Sequence, residues 1–78
     1  MSRIDARHVR VEPPGGQPFD LPCVWIPRSG DKVLALWRIG AAAPGTRVRA
    51  DGVTWVVAAI RPNDAITEAA TLEPEPLT

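Results

Sequence analysis

The sequence predicts an all-β protein, a small barrel or sandwich of about six antiparallel strands. Three observations carry that expectation. Nine prolines and six glycines interrupt a chain of 78 residues, so no window keeps helical spacing for the ~10–12 residues a helix needs. The apolar runs between these breakers are short and rich in Val, Ile and Trp, the residues that suit a pleated, half-buried surface. Two such runs, "TRVRA" and "VTWVVAAI", are separated only by Asp51-Gly52. That pair signals a type I′ hairpin, because both central residues need a positive φ.

The first strand is read at 7–12, "RHVRVE", and the second at 19–26, "FDLPCVWI". Between them "PPGGQP" (13–18) has too much Pro and Gly to be regular, and makes a projecting loop. Pro22 removes one ladder donor, so the second strand is at an edge or bulged there. "PRSGD" (27–31) turns the chain into a third strand at 32–39, "KVLALWRI". The fourth and fifth strands are 46–50 and 53–60, and "ITEAATLE" (66–73) is the sixth. Residues 1–73 thus form one β-barrel domain, and 74–78, with alternating proline, an extended or disordered tail.

The hairpin fixes its own register. A two-residue loop sets Ala50 opposite Val53, Arg49 opposite Thr54, Val48 opposite Trp55 and Arg47 opposite Val56. Period-two alternation gives a core face of Val48, Ala50, Val53, Trp55, Val57 and Ala59. The other face starts polar at Arg47, Arg49 and Thr54 and turns apolar toward Ile60. The third strand likewise has Val33, Ala35, Trp37 and Ile39 on one face, with Leu34 and Leu36 on the other. A sheet with one wet side stays polar along it, so these second faces imply extra cover. Three tryptophans of about 150–250 Å² each sharpen the point. Trp55 is expected in the core, and Trp25 or Trp37 at least partly at an interface.

Size points the same way. So short a chain buries only about 60–65% of its unfolded surface and usually needs a disulfide, a metal or a partner. Cys23 is the single cysteine and His8 the single histidine, which excludes an internal disulfide and a four-ligand Cys/His zinc site. Self-association remains. Formal net charge is zero, but residues 1–49 carry eight Arg/Lys against four Asp/Glu, and residues 50–78 one against five. That asymmetry suits head-to-tail docking, although interleaved strands can mix it away. Neither a signal-peptide core nor the ~20 apolar residues of a membrane helix is found. With one cysteine, this predicts a soluble intracellular protein.

The sequence offers no catalytic constellation. His8 has no Ser or Cys beside it, and Cys23 lies in an apolar strand that raises a thiol pKa. Asp51 and Asp64 belong to turn signals. No Gly-rich loop precedes a helix, so phosphate cradling has no support, and neither cofactor nor metal is expected. Arg47, Arg49 and Arg38 near Trp37 suggest at most weak electrostatic contact with DNA, since phosphate-driven affinity needs a basic excess.

The order "GTRVRADGVTWVVAAIRPNDAITEAATLEP" resembles the closing half of the small head–tail joining proteins of long-tailed bacteriophages. The resemblance is carried by Pro44-Gly45-Thr46, Asp51-Gly52, Trp55 and Pro62-Asn63-Asp64. "RVEPPGGQPFDLPCVWIP" matches the family's long projecting hairpin. The motif "GxxVxxDGxxWxV" also describes many SH3-like barrels, and the N-terminal helical segment of many members is missing here. The resemblance implies a small SH3-like barrel without catalytic activity. It also implies a ring, usually hexameric, between the capsid's portal or adaptor and the tail, in the neck of a virion assembled in the host cytoplasm. Subunit contacts are then expected at Trp25, Ile26, Arg28, Leu34, Leu36 and Trp37, and at Pro13 and Pro14 of the first loop. Arg47 and Arg49 are placed toward the DNA channel. The alternatives are a tail terminator subunit, or a cellular SH3-like module that docks a peptide through Trp25 or Trp37.

Overall fold

In the computed structural model, which describes residues 5–75, the chain folds as six antiparallel strands and no helix. They are β1 (Asp5–Glu12), β2 (Phe19–Pro27), β3 (Val33–Arg38), β4 (Arg47–Ala50), β5 (Val53–Pro62) and β6 (Thr67–Pro74). The sheet closes on itself in the order β1-β2-β3-β6-β5-β4, so this is a small barrel of the SH3-like kind. Closure by the short β1–β4 pairing, Arg10–Glu12 against Arg47–Arg49, removes the free edges that an open sheet presents.

The β4–β5 hairpin has the register that its turn dictates: Ala50 faces Val53, and Val48 faces Trp55. Asp51 and Gly52 take φ of 54° and 75°, the left-handed pair that a type I′ turn requires. Pro22 fits β2 without a bulge. It pairs with His8 of β1, while pairing with β3 starts only at Val24, so no strand on the β3 side asks Pro22 for a donor.

Alternation builds the core. Val9 and Val11, Leu21, Cys23 and Trp25, Val33, Ala35 and Trp37, Val48, Val57, Ala70 and Leu72 all point inward and are buried. Three sequence expectations fail here for local reasons. Val53 was assigned to the core face but is 40% exposed, beside the 51–52 turn. Ala59 was assigned to the core face but is exposed, because β5 bulges. Val57 faces Leu72 and Ala59 faces Thr71, so Ala58 is an extra residue. A bulge exchanges the faces of everything beyond it, and Ile60, now opposite buried Ala70, packs on the core. The apolar drift of the second face toward Ile60 is therefore met by the bulge and not by extra cover. Ile39 was assigned inward with Trp37 but is 54% exposed. β3 ends at Arg38, and the chain turns there, with Ala41 N–H donating to the Arg38 carbonyl.

The two ends of the barrel differ. One gathers the 27–32 hairpin, the 51–52 turn, Asp5 and Glu75. The other gathers the loops 13–18, 39–46 and 63–66. Pro74 belongs to β6, and Glu75 N–H still donates to the Thr54 carbonyl at 2.8 Å. The rest of the expected tail, 76–78, lies outside the described residues.

Candidate functional site

The outer surface divides into two sides. On β2 and β3 the outward residues Val24, Ile26, Leu34 and Leu36 are all half-buried. Register makes them contiguous: Val24 stands opposite Leu36, and Ile26 opposite Leu34. β6 continues the patch, with Ala69 opposite Leu36 and Thr71 opposite Leu34, and β5 adds Ala59 opposite Thr71. Four branched aliphatic side chains thus stand in two rows on the outside of a barrel whose core is already closed. A monomer gains nothing from them there, whereas a contact with another surface would bury them at roughly 25 cal/mol per Å². A shallow groove of about 470 Å³ borders the patch, with Leu34, Ala59, Ala69 and Thr71 on its floor and Arg28, Lys32 and Arg61 around it.

β4 lies across the barrel from β3, and its outer residues Arg47 and Arg49 are exposed. Neither presents a free charge. Arg47 reaches Glu75 at 2.7 Å, and Arg49 lies 3.6 Å from Glu12. These exposed pairs add little stability, but each glutamate offsets the charge that its arginine shows to an anion.

The structure separates the residues expected to form subunit contacts. Ile26, Leu34 and Leu36 come together on the outer patch, with Arg28 on the neighbouring hairpin. Pro13 and Pro14 stand at the opposite end from Arg28, in a turn where Gly16 N–H donates to the Pro13 carbonyl at 3.2 Å. The tryptophan expectation is reversed. Trp25 and Trp37 are 5% and 1% exposed, and Trp55, assigned to the core, is half-buried. The cause is position along the barrel. Trp37 sits next to the end of β3, where Glu68 and the 39–46 loop cover it, whereas Trp55 sits toward the other end, opposite Pro74.

Sequence reasoning missed the role of Glu68. It is 8% exposed, and its carboxylate accepts from Trp37 Nε1–H at 2.9 Å and from Gly40 N–H at 3.2 Å. A buried carboxylate is tolerated only when donors surround it, and these two tie β3, β6 and the 39–46 loop together. The available signal was Glu68 at an inward position of an alternating strand. Arg7 was also passed over. Its guanidinium bonds Asp5 and Asp51, which raises its pKa, and lies 4.9 Å from the Trp25 ring centroid.

The Cys23 thiol is pushed up to about 11 by burial, which suppresses the thiolate that a nucleophile needs. Among the described residues no group of three His, Cys, Asp or Glu could hold a metal ion. No helix among them is long and apolar enough to cross a membrane. Comparison with known protein families, curated proteins and solved structures finds no match to this chain.

Proposed function

We propose that this chain is a non-enzymatic structural subunit that assembles with copies of itself into a ring. The ring is of the kind that joins the capsid portal or adaptor to the tail in the neck of a long-tailed bacteriophage. The observation that carries this reading is the outer patch of Val24, Ile26, Leu34 and Leu36. It stands on a barrel that has closed its own sheet and filled its own core. Only another molecule can cover it, and a second copy is always at hand. The side across the barrel, around β4, is chemically different. A contact between unlike surfaces is heterologous, and heterologous contacts close into rings when the rotation per subunit allows.

In this reading the apolar patch and Arg28 meet the neighbouring subunit, and the arginines of β4 are left for the DNA channel. With Glu12 and Glu75 paired to them, those arginines show little net charge, so DNA would slide past without being held. The portal or adaptor and the tail would dock on the two ends of the ring, where the loops differ. The neck assignment rests on the sequence resemblance, and the assembly on the patch.

Electron microscopy of the concentrated, intact chain tests the proposal. Rings with a central channel are expected, and Leu36→Asp should abolish them while leaving the circular dichroism of the barrel unchanged. Closed two-fold dimers, or single barrels at every concentration, would contradict the ring.

A further inference from the structure

The end of the barrel that carries the 39–46 and 63–66 loops has an apolar feature of its own, separate from the outer patch. Ile39 and Ile66 are 54% and 73% exposed. They are neighbours, because Ile39 N–H donates to the Ile66 carbonyl at 3.1 Å and so extends the β3–β6 ladder by one pair. A single exposed aliphatic residue is ordinary, but two side by side form a patch. Ala41 and Ala42 of the same loop pack on the core, while the larger Ile39, which has more to gain from burial, is left outside.

Both isoleucines are held in position. Ile66 N–H donates to Asp64 Oδ1 at 2.9 Å, and Thr67 N–H donates to the same oxygen at 2.8 Å. On the other side Ala41 N–H donates to the Arg38 carbonyl. A knob fixed before contact has little conformational freedom left to lose on binding. Asp64 is the only charged residue in the two loops, and the hydrogen bonds it accepts favour its ionised form.

The groove beside the outer patch has the complementary character. Its floor is Leu34, Ala59, Ala69 and Thr71, and its rim carries Arg28, Lys32 and Arg61. Lys32 has Glu73 at 3.8 Å, but neither Arg28 nor Arg61 has a carboxylate partner among the described residues. An apolar floor inside a cationic rim thus matches an apolar tip beside one carboxylate. Neither isoleucine lines the groove of its own barrel, so the match is between two copies. Each copy has one knob and one groove, which makes the contact heterologous, the type that closes into rings.

We propose, on the assembly reading above, that the Ile39–Ile66 knob of one copy seats in the groove over Leu34, Ala59 and Ala69 of the next, with Asp64 among Arg28, Lys32 and Arg61.

A complementation experiment tests this. The double variant Ile39→Ser/Ile66→Ser loses the knob and keeps the groove, whereas Leu34→Asp loses the groove and keeps the knob. Far-ultraviolet circular dichroism matching the parent shows that each is folded. Ala59→Asp, at an exposed position of the same floor, is a second groove variant. In sedimentation equilibrium the parent should assemble, and each variant alone should need at least about tenfold more protein to do so. An equal mixture should give a particle of two chains and no larger, because one intact knob meets one intact groove and the next contact is missing. A knobless variant that assembles like the parent overturns the proposal and leaves the ring with another surface over its patch. Two monomeric variants that stay apart when mixed also overturn it. Loss of assembly on deleting residues 76–78, with the knob intact, would give the groove to the chain's own end and overturn it as well. A parent that is monomeric at every concentration overturns both this contact and the ring.

Discussion

Replacing Glu68 by alanine removes the acceptor for two donors at once. The Trp37 Nε1–H is buried and would be left without a partner, at a cost of about 1–3 kcal/mol. The Gly40 N–H is partly buried, and its hydrogen bond contributes about 0.5–1.5 kcal/mol. Taking a carboxylate out of the barrel also relieves its own desolvation, which offsets part of the loss. The net expectation is about 1–3 kcal/mol of destabilisation. A domain of this size has about 4–12 kcal/mol in all, so the variant loses a large fraction of its stability and about 5–20 °C in Tm. Glu68→Gln keeps one acceptor oxygen but turns an NH2 toward the other donor, and should lose about half as much. Urea unfolding read by far-ultraviolet circular dichroism measures both. A double-mutant cycle with Trp37→Phe isolates the indole–carboxylate term, which should appear as a coupling above about 1 kcal/mol. Glu68→Ala within about 0.5 kcal/mol of the parent, with no coupling to Trp37, would refute the view that this carboxylate pins the closed end of the barrel.

Three further outcomes follow from the same structure. Gly52→Ala forces a side chain onto a residue at φ 75° and should cost about 1–2 kcal/mol, measured as a lower urea midpoint with an unchanged slope. The Asp64 carboxylate accepts from Ile66 N–H, Thr67 N–H and the Thr67 hydroxyl, which hold its pKa below the ordinary value of 3.8. Stability from a lowered carboxylate pKa is present above the unfolded value and is lost as pH falls through the folded one. Asp64→Ala should therefore flatten the acid limb of a Tm-against-pH curve below about pH 4, and an unchanged limb would show that the turn contributes nothing. Cys23 is buried and its thiol is raised to about 11 by desolvation. A disulfide reagent at pH 8 should label it only as urea unfolds the chain, and prompt labelling of the native protein would contradict its placement inside.

The strand plan was legible in the sequence because punctuation and alternation are local. Asp51-Gly52 alone set four cross-strand pairs, and the Pro/Gly clusters bounded the remaining strands. What could not be read were features that depend on a neighbour in space. The bulge at Ala58 is an extra residue relative to β6, invisible in β5 by itself, and it turned an apolar drift on the second face into ordinary packing. The order of the tryptophans failed likewise. Alternation says which way a side chain points, but what covers the barrel's end decides that Trp37, under Glu68 and the 39–46 loop, is sealed and Trp55 is not. Of the expected contact residues, Leu34 and Leu36 were readable as a second apolar face of the third strand, whereas the place of Ile26 beside Leu34 depends on the β2–β3 register. Glu68 was overlooked because its two donors come from residues 31 and 28 positions away in the chain.

The outer patch of β2, β3 and β6 is the surface that another copy covers in the proposed ring. Sedimentation equilibrium of the intact chain over a hundredfold range of concentration measures this directly. Mass should rise with concentration toward one closed multiple of the monomer, and Leu34→Asp should hold it at the monomer with the barrel still folded. A parent chain that stays monomeric throughout, indistinguishable from Leu34→Asp, would mean that these aliphatic residues face only water and that the assembly reading is wrong.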